Sequence, residues 1–223
     1  MDLTGKKMFK YKDTDLFFDK GGMNYQNGDL HLQLNCIDTE YDFAEPYATL
    51  TKALGYDSTH LLGASFIDEN NLSNDFFDVN DFLFDNDLAT RTGLGQQSGY
   101  CLYPLVIFNP EKMEEIFGEK KLLEYFDAFY NHKSNNPDKL LETIADDIAD
   151  EYDIFAEDFK EFREVFKKEK DKSLDNPKIK ALYDKAMSLW KDNYETAKEF
   201  QRVKDDIDEK FQRIKDSFEI DDR

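Results

Sequence analysis

Histidine is the side chain best suited to acid–base chemistry near neutral pH, and this chain carries three, His31, His60 and His132. They are widely separated, and none lies in an HExxH, CxxC or triad-like context. We therefore interpret each as a strand, loop or helix-end residue. The sequence predicts no catalytic residue and no enzymatic activity.

Two further patterns could indicate chemistry. The glycine-rich segment GLGQQSG at 93–99 is not a Walker loop and precedes a predicted strand, so it is interpreted as a turn. Cys36 and Cys101 lack zinc spacing and are interpreted as reduced, packed thiols, although a disulfide between them stays open. Neither pattern predicts a cofactor.

Clustered acids require a test for metal binding. The acids from Asp75 to Asp87 do not have the spacing or the central glycine of an EF-hand loop, so no metal site is predicted. Pro137-Asp138 with Asp158-Phe159-Lys160 imitates a nuclease signature, but both parts lie on predicted helices instead of strands. We treat that match as a coincidence.

The charge distribution is more informative than the total of −20. Residues 21–110 contain thirteen acids and only two cations, Lys52 and Arg91, whereas residues 111–223 contain thirty-two acids and twenty-two bases. Residues 1–20 are close to neutral. A surface as acidic as that of residues 21–110 repels nucleic acid and anionic membranes and attracts basic protein surfaces. The predicted partner is a basic surface, such as that of a CRISPR effector or another nuclease.

One predicted helix face concentrates acids. Residues 142–164 hold ten acids against Lys160 and Arg163, and six of the acids recur at steps of three and four, which places them on one side of a helix. A solvated face is the competing interpretation. The predicted partner-binding residues are Asp146, Asp150, Asp153, Glu157, Glu161 and Glu164 on this helix and Asp75, Asp78, Asp81, Asp85 and Asp87 in the first domain.

The first half of the chain shows strand patterns. Asn27-Gly28 is a hairpin signal, residues 31–37 alternate apolar side chains, and a run from Glu45 begins beside Pro46. Residues 70–88 predict a short amphipathic helix capped by Ser73 or Asn74. Residues 100–109 predict another strand, with Pro104 at an edge or bulge. Residues 1–110 are therefore predicted to form a small α+β domain with an antiparallel sheet and one covering helix.

The second half is predicted to be helical after Asn109-Pro110. A first helix is predicted from about residue 111 to 130, and a third from Pro177 to about Phe218. Between them, a second helix is predicted with Pro137 in its first turn and apolar residues from Leu141 to Phe166. Apolar residues of the second helix repeat in heptads, which predicts an antiparallel hairpin with the third. The predicted fold class is α+β, with domain 1–110 followed by an extended, coiled-coil-like helical hairpin at 111–223.

Four segments of the first half carry a resemblance to a known family. They are GDLHLQL at 28–34, EPYATLT at 45–51, FIDENNL at 66–72 and SGYCLYPLVIFN at 98–109. In this order they resemble an uncharacterised domain-of-unknown-function family of small proteins from phages and conjugative elements. The resemblance implies a mobile-element or bacterial origin and an α+β domain, and it implies no reaction.

These observations predict an acidic, cytoplasmic protein that binds and inhibits a basic nucleic-acid-binding host protein. Such an inhibitor would be an anti-CRISPR or anti-restriction protein acting as a DNA mimic. The alternative is a structural or adaptor protein that self-associates through its helical hairpin, with a homodimer as one form. An enzyme would instead predict a pocket near Asp68 or Asp85. No direct nucleic-acid or membrane binding is predicted.

Overall fold

The computed structural model describes residues 6–38, 43–54, 61–69, 77–133 and 161–220. Within these ranges lie two four-stranded antiparallel sheets and several helices, which confirms the α+β class. The strands are β1 (Met8–Tyr11), β2 (Thr14–Phe18), β3 (Gln33–Asp38), β4 (Phe43–Thr49), β5 (Thr51–Lys52), β6 (Ala64–Ile67), β7 (Ala89–Ser98) and β8 (Cys101–Phe108). The helices are α1 (Val79–Asp85), α2 (Pro110–Phe117), α3 (Glu119–Lys133), α4 (161–168) and α5 (Pro177–Ile220).

The first sheet has the order β1-β2-β3-β4 and the second the order β5-β6-β8-β7, where one sheet was predicted. The chain passes from the first sheet to the second at Leu50, which is fully buried and donates its N–H to the Leu32 carbonyl. The alternation predicted for β3 is correct, because Leu32, Leu34 and Cys36 are all buried. Pro46 lies on the edge strand β4, where a missing N–H costs least.

The Asn27-Gly28 signal forms a turn that is closed by side chains. Gly28 has φ +84°, a conformation that favours glycine, and its N–H donates to the Tyr25 carbonyl. Asn27 and Asp29 are both buried, and the Asn27 amide donates to the Asp29 carboxylate at 2.8 Å. The turn leads to a single bridge, Asn24 with Leu30, and not to a long hairpin.

The glycine-rich segment 93–99 was predicted to be a turn, and this prediction is wrong for most of it. Residues up to Ser98 belong to β7, and only Gly99 and Tyr100 form the turn to β8. The glycines Gly93 and Gly95 lie at a register irregularity between Arg91 and Gly95, and β-bulges of this kind accommodate glycine. Pro104 pairs with Gly95 beside this irregularity, on an interior strand instead of an edge.

Helix α1 starts later than predicted. Its N-cap is Asp78, whose carboxylate accepts hydrogen bonds from the N–H groups of Asn80 and Asp81. The caps predicted from the sequence, Ser73 and Asn74, lie outside the described residues. Aspartate serves the same capping function, so the chemistry was anticipated but the position was not.

The predicted helix over 111–130 is two helices. Asn109 caps α2 by accepting hydrogen bonds from the N–H groups of Glu111 and Lys112, and Pro110 occupies the first turn. Gly118 then adopts φ +81° and separates α2 from α3. This left-handed conformation ends the first helix and redirects the chain.

Helix α5 confirms the predicted third helix and is 44 residues long, about 66 Å at 1.5 Å per residue. Its first half is anchored by Trp190, which is fully buried and donates its indole N–H to the Phe108 carbonyl at 2.8 Å. The indole fills a slot beside Gly63, whose φ is +81°; a Cβ there would lie 1.7 Å from Trp190 Nε1. Tyr125 closes the slot by accepting a hydrogen bond from the Gly63 N–H.

The predicted division at residue 110 stays a prediction. Buried residues from both sides of it, from Phe9 to Ala197, form one hydrophobic cluster. Helix α4 joins this cluster through Phe162, whose ring stacks on Tyr130 with 4.3 Å between centroids. Part of the predicted hairpin partner of α5 thus packs in the core, while residues 134–160 lie outside the described ranges.

Candidate functional site

The acids around α1 form an exposed edge in the first half of the chain. Asp78, Asp81, Asp85 and Asp87 are all exposed. Asp78 caps the helix, and Asp87 accepts hydrogen bonds from Asn109 and, at 3.1 Å, from the Tyr194 hydroxyl. Asp81 and Asp85 complete the edge one helical turn apart. Asp78 and Asp87 therefore stabilise the local structure through these hydrogen bonds, and both remain exposed to solvent.

The two cations of residues 21–110 are both held in ion pairs. Lys52 Nζ lies 3.2 Å from the Asp68 carboxylate. The Arg91 guanidinium lies 2.8 Å from the Glu69 carboxylate. Arg91 also donates to Asn80 and lies over the Phe84 ring. The cations thus neutralise the acids at the end of β6 and leave the α1 acids uncompensated by either.

A polar cluster that the sequence analysis missed lies where the two sheets meet. The Tyr25 hydroxyl donates to the Thr51 carbonyl at 2.5 Å, and the Thr51 hydroxyl accepts the Leu32 N–H at 2.9 Å. Burial raises the pKa of Tyr25. A hydrogen bond with Tyr103 and, secondarily, the carboxylate of Asp68 raise the pKa of Lys52.

We interpret the role of this cluster as structural and not as catalytic. A lysine whose pKa is raised stays protonated, which suits an ion pair and not a nucleophile or base. Thr51 and Asp68 belong to the segments EPYATLT and FIDENNL, and Lys52 directly follows the first of them, so those segments were the signal that could have revealed the cluster. Thr51 links the second sheet to Leu32 and Tyr25, whereas Lys52 and Asp68 pair within the second sheet.

Only part of the predicted acidic stripe on the second helix can be placed. Glu161 and Glu164 are exposed on α4, where Glu161 pairs with Lys185 at 3.0 Å and Glu164 with Lys168 at 3.3 Å. The remaining predicted residues lie outside the described ranges; these are Asp75, Asp146, Asp150, Asp153 and Glu157. The structure does not bring Glu161 and Glu164 together with the α1 acids in any described contact.

Besides the single residues Met8 and Phe43, large apolar side chains are exposed as groups in two places. At the β7–β8 hairpin end, Leu94, Tyr100 and Leu102 are exposed by 62%, 106% and 61%. On the distal half of α5 the exposed side chains recur at steps of three and four and are Phe200, Val203, Ile207 and Phe211. The two places adjoin, because a Cβ on Gly93 would lie 2.5 Å from the Phe200 ring. Exposed apolar patches of this kind mark interaction surfaces.

A groove of about 430 Å³ opens between the start of β7 and α5. Its lining is Thr90, Glu195, Lys198, Glu199, Gln201, Arg202 and Asp205. Arg202 pairs with Glu199 and Gln201 bonds to Asp205 along the same helix, so these groups do not converge on a common point. Within the described ranges, no group of histidine, cysteine, aspartate and glutamate has an arrangement that could hold a metal ion.

None of the described helices has a stretch long and apolar enough to cross a membrane. Neither the curated proteins nor the solved structures contain a match to this chain. All four segments that carry the resemblance lie within one family match. Residues 23–129 match the model of an uncharacterised family, described as a domain of unknown function, DUF4313.

Proposed function

We propose that the protein binds a basic, nucleic-acid-binding surface of a host protein and thereby inhibits it. One observation carries the proposal: residues 21–110 hold thirteen acids, and both of their cations, Lys52 and Arg91, are already paired with carboxylates. Each described cation in this range therefore has a carboxylate beside it that competes with phosphate. The surplus of acids attracts protein surfaces that bind phosphates.

The physical basis is the long-range field of a strongly anionic body. A protein with a charge of −20 concentrates positive partners near itself and speeds their association. The DNA channels of CRISPR effectors and restriction nucleases are positive because they bind phosphates. An acidic edge such as Asp78 to Asp87, together with the predicted stripe from Asp146 to Glu164, would compete with DNA for such a channel.

The biological setting belongs to the same proposal. The family resemblance supports an origin on a phage or conjugative element and action in the cytoplasm of the bacterial host. An anti-CRISPR or anti-restriction inhibitor fits that setting, since it would protect incoming DNA from host nucleases. DNA mimicry is the mode of action that the charge distribution favours.

The test measures inhibition of DNA cleavage by a panel of purified CRISPR effectors and restriction nucleases. The variant Asp81→Lys with Asp85→Lys should weaken inhibition about tenfold, or about 1.4 kcal/mol of binding free energy. Its matched control, Asp192→Lys with Asp208→Lys, changes the net charge equally on the mixed-charge helix α5 and should have a smaller effect. A third variant, Asp150→Lys with Asp153→Lys and Glu157→Lys, tests the predicted stripe.

Salt gives a second readout. Binding to a basic partner should weaken as the ionic strength rises, because exposed charges are screened beyond about 8 Å at physiological ionic strength. If no member of the panel is inhibited, or if inhibition is unchanged in all charge-reversal variants, the proposal is refuted.

A second candidate function is a structural or adaptor role in which long helices self-associate. The exposed stripe Phe200, Val203, Ile207 and Phe211 favours it, because the spacing continues the coiled-coil pattern beyond the packed half of α5. We propose that α5 forms an antiparallel hairpin with the chain segment that ends in α4, and the ion pair between Glu161 of α4 and Lys185 of α5 supports this arrangement. Replacing Phe211 with glutamate should then change the oligomeric state seen by light scattering without changing nuclease inhibition.

A further inference from the structure

Near its turn, at residues 95–98, the outer edge of β7 lacks the charge that the other sheet edges carry. Strands β1, β4 and β5 are the other edges, and they carry Lys10, Glu45 with Pro46, and Lys52 respectively. Charged side chains and proline are the usual devices that keep an edge strand from pairing with another chain. Residues 95–98 of β7 have none of them, and all four are exposed.

The uncharged region extends well beyond the edge itself. No charged residue occurs between Arg91 and Glu111, a run of nineteen residues and the longest such run in a chain of charge −20. Two copies of so anionic a protein repel each other over most of their surfaces. They can approach most closely where neither contributes charge, and residues 94–98 of β7 with the exposed Leu102 of β8 meet that condition.

The register identifies the backbone groups that face outward. Ser98 and Cys101 flank the two-residue turn and form the hydrogen-bonded pair that closes such a hairpin. Pairs alternate along an antiparallel ladder, so Gln97 and Gly95 are non-hydrogen-bonded positions relative to β8. Their N–H and C=O groups consequently point away from β8, toward the open edge.

We infer that this edge binds a second copy of the chain, through antiparallel pairing of β7 with β7 of its partner. In the symmetric arrangement Gly95 of each copy pairs with Gln97 of the other, and Gln96 lies at the two-fold axis. Identical strands satisfy such an isologous interface without opposing like charges. This inference does not depend on the binding of a basic host protein.

The first test measures mass by light scattering over a range of protein and salt concentrations. The expected result is a dimer whose dissociation constant falls as the salt concentration rises, because screening reduces the repulsion between the anionic copies. Binding to a basic partner would instead weaken as salt rises. Gln97→Pro should abolish the dimer, because proline removes the outward N–H of Gln97 and leaves the pairing with β8 intact. Gln97→Ala keeps that N–H and should remain dimeric.

A second test fixes the register and does not depend on tolerance of proline. In a background of Cys36→Ala and Cys101→Ser, Gln96→Cys should give a disulfide-linked dimer on oxidation with copper phenanthroline, because residues at the axis face each other at about 4.5 Å between Cα atoms. Ser98→Cys, two residues from Gln96 in the regular register and so on the same strand face but off the axis, should crosslink much less. A monomer at all concentrations, or a dimer that persists in Gln97→Pro and is lost in Phe211→Glu, would overturn the inference.

Discussion

Replacing Gly63 with alanine should be among the most destabilising single-methyl changes in this protein. The added Cβ would lie 1.7 Å from Trp190 Nε1, far inside van der Waals contact, and the indole has no free space because it is fully buried. Displacing the indole also breaks its hydrogen bond with the Phe108 carbonyl. The φ of +81° at Gly63 adds backbone strain for any L-residue.

The expected loss follows from these three causes. Left-handed strain costs about 1 kcal/mol, overpacking of a core about 1–3 kcal/mol, and an orphaned buried carbonyl about 1–3 kcal/mol. Because the effects overlap, we expect a decrease of about 3–5 kcal/mol in the free energy of unfolding, a large part of the 5–15 kcal/mol typical of a folded domain.

The assay is urea unfolding followed by the fluorescence of Trp190, the single tryptophan of the chain. Gly99→Ala is the matched control, since Gly99 also has a positive φ, +62°, but a Cβ there would meet nothing within 4 Å. The control should lose only the strain, about 1 kcal/mol. If the two variants differ by less than about 1 kcal/mol, packing of the indole against Gly63 is not what anchors α5, and the reasoning is refuted.

Three further predictions concern pH, packing and capping. Burial and neighbouring carboxylates raise the pKa of Tyr183 and of Tyr194 above the unfolded value near 10. Their contribution to the free energy of unfolding is therefore complete below about pH 10 and is lost as the pH rises above it. Urea unfolding at pH 9 and 11 checks this, and Tyr194→Phe should reduce the loss of stability between the two pH values. Phe162→Ala removes the stack on Tyr130 and should cost about 3 kcal/mol, with faster protease cleavage in α4. Asn109→Ala removes the N-cap of α2 and should cost about 1–2 kcal/mol, measured by thermal unfolding; an unchanged midpoint would contradict its capping role.

Local signals in the sequence predicted much of this fold. The alternation in β3, the Asn-Gly turn and the long third helix depend on neighbours within a few residues, and the structure contains all three. The helix break at Gly118 was missed although a glycine marks it, because the apolar spacing continues across the break. The position of the cap at Asp78 was missed because several competing Ser, Asn and Asp residues precede the helix.

The remaining features depend on residues far apart in the chain. Strand β7 looked like a turn because its glycines favour one, but pairing with β8 supplies partners for its backbone and a bulge absorbs the irregularity. The burial of Trp190 is explained only by the slot beside Gly63, which lies far away in the sequence. The pairing of both cations of residues 21–110 likewise required the folded chain, since composition alone gives charges and not their neighbours.

The slot beside Gly63 also shows that the residues of the family match do not fill their own core. The family match ends at residue 129, yet the indole that fills the slot comes from residue 190, and strand β2, which pairs with β3, precedes residue 23. A protein that carried this domain without a long C-terminal helix would have an open hole in its interior. It would have to close that hole with another side chain, or with another molecule.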